Sequence, residues 1–198
     1  MFPDPSLLTH PNIPKPLHGI NPRTVLGQEW WDIQRRKAYA THGYCCWACG
    51  VHKSEAKYHN WLEGHEYFDF NYDTGALILK EIVALCHSCH NFIHSRRLWI
   101  MAQKGEISGE KLLDVLNHGM TLIKRNNLTP FWGTLVIYEM VVVGLSQEEA
   151  LMKVFRQGSV PVNEGDNLKW EDWHMIIEGK KYYSNFESIE DWHRHYNG

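Results

Sequence analysis

The chain has no long hydrophobic run, no surplus of positive charge, no internal repeat or low-complexity tract, and few cysteines. Each lack removes a class of protein. The longest apolar stretch, residues 135–145, is too short to span a bilayer and is interrupted by Glu139. The first five residues, Met1 to Pro5, have neither the basic start nor the apolar core of a secretory signal, so a cytoplasmic, intracellular protein without membrane contact is expected. A net charge of −3 at pH 7 argues against a protein that grips nucleic acid by bulk electrostatics. Five cysteines in an intracellular chain argue for metal binding, since disulfides rarely persist there.

At 198 residues the chain is long enough for one core with a small appendage, and its apolar and charged contents are those of an ordinary soluble globular protein. The charge is nevertheless uneven. Residues 1–60 carry seven Lys or Arg against four Asp or Glu, whereas residues 161–198 carry four against eight. A basic N-terminal part beside an acidic tail is compatible with local phosphate contact, for which Arg35 and Arg36 are candidates.

Chemistry concentrates in the middle of the chain. Cys46 and Cys49, followed by Gly50, form one Cys-x2-Cys knuckle, and Cys86 and Cys89 form a second. Two such pairs suit a single tetrahedral Zn2+, because each knuckle supplies two neighbouring thiolates. Cys45 is the alternative to Cys46, but Cys46 has the tighter spacing and Cys49 is followed by a residue suited to the turn. The second knuckle runs into His90 and His94, whose spacing places both imidazoles on one face of a helix, able to reach a second metal. His65, between the knuckles, is a further candidate. His52 and His59 lack paired spacing and read as surface residues. His87 reads as exposed or as a support to a ligand, and Asp69 and Asp73 as solvated or turn-forming.

Periodicity gives the surroundings. Residues 1–43 read as a proline-rich arm followed by a short aromatic and basic helix from about Val25 to Thr41. In residues 44–97, Phe68, Phe70 and Tyr72 alternate with polar residues as in a strand, Asp73 to Gly75 make a turn, and Ala76 to Leu85 return as a second strand. A helix begins near Cys86. Residues 98–160 read as a helical extension. One helix opens at Ser108 and buries Leu112, Leu113, Val115 and Leu116; another starts at Thr129 and Pro130 and stops at Gly144. Ser146 and Glu149 form a capping box. Residues 161–198, acidic and rich in aromatics, read as a compact docking appendage. The fold class expected is α+β.

The segment 44–97, through Cys46, Cys49, His65, Ala84 to Cys86, Cys89, His90 and His94, resembles the HNH (ββα-metal) endonucleases, in particular zinc-stapled members built on a treble clef. The resemblance implies a structural Zn2+ on the four cysteines and a catalytic divalent ion, such as Mg2+, Mn2+, Ni2+ or Zn2+, on His90 and His94. It implies His65 as general base or third ligand, phosphodiester hydrolysis, and DNA as the nucleic-acid partner. The family is common in phages and mobile elements. The chain departs from the family pattern by having His65-Glu66 where His-His or Asp-His is usual, which makes Glu66 the alternative base. It also has Glu81 near the place of the family's central asparagine. The competing reading is a non-catalytic zinc module that binds a protein or nucleic-acid partner through its aromatic arm and tail.

Overall fold

The computed structural model describes residues 2–156 and 168–197. The boundary expected near residues 160 and 161 lies outside them. The chain is mixed α and β. Helices α1 (Pro22–Leu26) and α2 (Gln28–Thr41) precede a long hairpin of β1 (Glu63–Asn71) and β2 (Ala76–Leu85). Next come α3 (His87–Ile93), α4 (Ser95–Gln103), α5 (Gly109–Arg125), α6 (Trp132–Tyr138), a π-helical turn at Glu139–Val143 and α7 (Gln147–Arg156). The chain ends with β3 (His174–Ile177), β4 (Lys180–Tyr183) and α8 (Ile189–Asn197). No helix among the described residues is long and apolar enough to cross a membrane.

Two compact units form, each assembled from three separated stretches. The first takes residues 1–11, 39–65 and 84–161, and the second takes 12–38, 66–83 and 162–198.

The second unit is organised by the sheet, whose strand order is β1-β2-β3-β4. β3 lies parallel to β2, with Ala76 opposite His174 and Ile78 opposite Ile176, and β4 returns antiparallel. The aromatic tail therefore extends the sheet, where a docking appendage was expected. Phe68, Leu77, Trp173, Met175 and Ile177 bury together with Leu17 and Ile20. The hairpin turn is closed by Asn71, whose Oδ1 accepts from the backbone N–H groups of Asp73 and Thr74. Gly75 is required there: its φ is +69°, and a Cβ would lie 2.8 Å from the carbonyl oxygen of Asp172.

The first unit is helical and carries the cysteines. Helix α5 packs on α3 and on the 3-10 turn Pro5–Thr9, while α4 packs on α6 and α6 on α7. Its apolar face recurs at helical spacing, with Leu112, Val115, Leu116, Met120 and Ile123 buried. Leu113 falls one step off that face and is exposed, against expectation. Gly119 has a specific reason to be glycine. A Cβ there would stand 2.1 Å from the ring of Phe92, so α5 approaches α3 closely only without a side chain. Ser108 caps α5 by accepting from the backbone N–H of Lys111. Helix α6 begins at Trp132, two residues beyond Pro130, where a start at the proline was expected. Gly144, at φ +83°, ends the π turn, and Ser146 and Glu149 cap α7 reciprocally.

Candidate metal centre

The first knuckle is shaped by the backbone. Cys45 pairs with His52 as a short antiparallel bridge, the N–H of Cys46 donates to the carbonyl of Val51, and that of Gly50 donates to the carbonyl of Cys46. Gly50 takes φ +77°, a left-handed conformation that suits glycine at this tight corner. The second knuckle sits where β2 becomes α3: Cys86 occupies the helix N-cap position and Cys89 the first turn. The N–H of Trp47 donates to the carbonyl of Ala84 at 2.7 Å, which ties the two knuckles side by side.

The result brings Cys46, Cys49, Cys86 and Cys89 together, with their sulfurs all within 4.8 Å of one another. Cys49 Sγ and Cys86 Sγ are 3.8 Å apart. Thiolates ~2.3 Å from one tetrahedral Zn2+ stand about 3.8 Å apart, far beyond an S–S bond. The four cysteines are free thiols and could hold a metal ion such as zinc. Cys45 stays outside the group, with its thiol directed to the carbonyl of Gly43. His118 on α5 joins the site from the side, its Nε2 3.3 Å from Cys89 Sγ.

A second group gathers His65, His90 and His94, again with ligand atoms within 4.8 Å. His65 comes from β1 and His90 from α3. His94 occupies the junction between α3 and α4, where φ −93° and ψ 35° break the helix, although its N–H still donates to the carbonyl of His90. The i, i+4 relation thus survives a helix that ends one residue too early for His94. His65 is only 6% exposed, and its Nδ1, like that of His90, is buried without a hydrogen-bond partner. Buried polar atoms are almost always satisfied, so the partnerless Nδ1 of His65, beside a His90 Nδ1 whose near polar neighbour is a Glu63 carboxylate oxygen at 2.7 Å, fits a site made for an ion. Burial, and then the nearby His94 and His90, hold His65 well below the usual histidine range, while burial and His90 bring His94 down to about 4. Both rings are therefore neutral at neutral pH, the form in which imidazole binds metal. Arg97, exposed on α4, lies close enough for its charge to contribute to the shift of His94.

Compared with known protein families, with curated proteins and with solved structures, the chain finds no match. The site therefore rests on its own geometry.

Glu63, two residues before His65 on β1, belongs to that geometry, and the sequence reading missed it. Residues i and i+2 of a strand share a face, so Glu63 points with His65, whereas Glu66 points the other way. Glu66 is not part of the three-histidine group. One carboxylate oxygen of Glu63 lies 2.8 Å from Nδ1 of His87 as a hydrogen bond. The other lies 2.7 Å from Nδ1 of His90, a contact that is an ion pair only when that ring is protonated. Burial raises the Glu63 pKa, but His87 and His90 outweigh it and hold the carboxyl ionised far below its usual range.

His59 and His87, expected at the surface or in support, gather with Glu63 in a third group whose ligand atoms also lie within 4.8 Å. Asn91, inside α3, donates from Nδ2 to the carbonyl of His87. Glu81 is exposed on β2. The signal that could have identified Glu63 was the strand period itself, extended two residues N-terminal of His65.

Proposed function

We propose that the protein is a metal-dependent phosphodiesterase of the HNH type, an endonuclease acting on DNA. Its zinc-stapled treble clef is held by Cys46, Cys49, Cys86 and Cys89, and His65, His90 and His94 form its catalytic ion site. The observation that carries this reading is the meeting of three imidazoles, one of them, His65, with a buried Nδ1 that has no hydrogen-bond partner, beside a four-cysteine group. A module that only needs folding by zinc has no use for the second set, because the four thiolates already complete a tetrahedral site.

A divalent ion at the three histidines would supply Lewis acidity, polarising a phosphoryl oxygen and lowering the pKa of an attacking water. His65 suits the role of ligand better than that of base. A general base works best with a pKa near the operating pH, and burial has taken His65 well below it. Arg97, exposed on α4 and near enough for its charge to act on His94, would add a second positive group for a phosphate that reaches the ion. Local charge of this kind meets the objection from net charge, since one phosphate at a time must be held.

The test is cleavage of plasmid, single-stranded DNA and RNA by purified protein supplied with Mg2+, Mn2+, Ni2+ or Zn2+. Plasmid cleavage is expected, falling in His94→Ala by roughly two orders of magnitude or more, the scale of losing a positioned electrostatic group. If no substrate is cut and no ion binds beyond the zinc, the non-catalytic zinc module takes the place of the nuclease.

A further inference from the structure

Glu63 stands between two sets of histidines. On one side, its Oε2 lies 2.7 Å from His90 Nδ1, which belongs with His65 and His94. On the other, its Oε1 lies 2.8 Å from His87 Nδ1, which belongs with His59. Ligands ~2.1 Å from one ion stand about 3.0 Å apart at octahedral angles and about 3.4 Å apart at tetrahedral ones, so each oxygen, now at hydrogen-bonding distance from the histidine it faces, becomes a co-ligand by opening less than ~1 Å. The Nδ1 of His90 is buried and faces that carboxylate oxygen at 2.7 Å, an arrangement that two lone pairs directed at one cation would also satisfy. A carboxylate whose two oxygens face two different ligand sets has the form of a bridge between two metals.

We infer that the centre is dinuclear: His59, Glu63 and His87 hold a second divalent ion, and the Glu63 carboxylate bridges it to the ion on His65, His90 and His94. This rests on the reading of the three histidines as an ion site and adds a partner to it. The donor set of two imidazoles and a carboxylate suits Zn2+, Mn2+ or Ni2+ over Ca2+ or Mg2+, which take oxygen ligands. The second set is less enclosed than the first: His59, Glu63 and His87 are half-buried, and the ring of His59 stacks on the exposed Trp61 at 4.1 Å between centroids. The outer ion is therefore the one open to solvent and to an arriving substrate. Two ions about 3.5–4 Å apart can stabilise both the attacking and the leaving oxygen of an in-line displacement at phosphorus.

The experiment is Mn2+ titration of the zinc-loaded protein, read by elemental analysis and by electron paramagnetic resonance. Wild type is expected to take up about two Mn2+ per chain beyond the zinc and to give the spectrum of a spin-coupled pair, as a shared carboxylate requires. His59→Ala, at a half-buried site whose loss leaves the four cysteines intact, is expected to retain one Mn2+ and show an isolated ion. His94→Ala separates the two readings. If wild type binds a single uncoupled Mn2+ that His94→Ala loses and His59→Ala keeps, the second site is refuted while the first stands. If His94→Ala binds as wild type does, or wild type binds none, both fall.

Discussion

Nε2 of His118 lies 3.3 Å from Sγ of Cys89, joining α5 to the second knuckle by a contact across 29 residues of chain. Hydrogen bonds to metal-bound thiolates orient the ligand and offset its charge, and their removal typically costs about 10–100-fold in metal affinity. His118→Ala is expected to fold and to bind zinc more weakly by that factor. Competition with a chromogenic chelator measures it; unchanged affinity would make the contact incidental.

The four-cysteine group makes a prediction that separates neighbouring cysteines. Cys86→Ser should yield protein that is largely unfolded and lacks the tightly held zinc, because binding free energy at such a site is folding free energy. Cys45→Ser, outside the group, should keep both its circular dichroism and about one zinc per chain. Equal behaviour of the two variants would remove the assignment.

Packing at the α3–α5 contact should be intolerant of even one methyl. Gly119→Ala would place a Cβ 2.1 Å from the Phe92 ring. Elsewhere in a helix this change stabilises, but overpacking here should destabilise by about 1–3 kcal/mol. Urea denaturation of both proteins reads the sign, and a stabilised variant would show that the helices separate freely.

Without an ion on the histidines, acid should weaken the fold in a defined window. His94 titrates at about 4 in the folded protein and His65 well below its usual value, whereas in the unfolded chain both take up protons near pH 6.5. As pH falls from about 6.5 towards 4 the unfolded state binds more protons, so stability is lost across that range and is insensitive to these groups above it. Urea midpoints at about pH 7, 6 and 5 should fall less in His94→Ala than in wild type. Parallel declines would mean that His94 is free to protonate in the folded state.

Two glutamates near His65 should behave differently. Glu63→Gln keeps shape but loses the carboxylate charge facing His87 and His90, and should cost cleavage roughly two orders of magnitude or more. Glu66→Gln, on the other face of β1, should keep most activity. The reverse order, measured as kcat/KM on plasmid, would return the base role to Glu66.

The spacing of Cys46, Cys49, Cys86 and Cys89 is local, and it was sufficient to name the group that the fold closes, because a Cys-x2-Cys knuckle carries its own geometry. The hairpin, the turn at Asp73 to Gly75, the stop at Gly144 and the cap at Ser146 were legible for the same reason: each depends on residues two to four apart. Periodicity also gave Leu112, Val115 and Leu116 on the buried face of α5, but it included the exposed Leu113 and stopped short of Met120 and Ile123. The start of α6 was misplaced because proline permits a helix start without fixing it.

What the tertiary structure alone decided is which distant pieces meet. Residues 174–176 add to β2 as a parallel strand, a pairing that no local pattern announces because its register is set by a core shared with Leu17 and Phe68. The two units, each built from three stretches, arise in the same way. In the sequence Glu63 drew no reading, His59 read as a surface residue and His87 as exposed or as a support to a ligand. Their proximity depends on where β1 begins and on how α3 lies against it, and it is the packing of strand on helix that turns them into a ligand set.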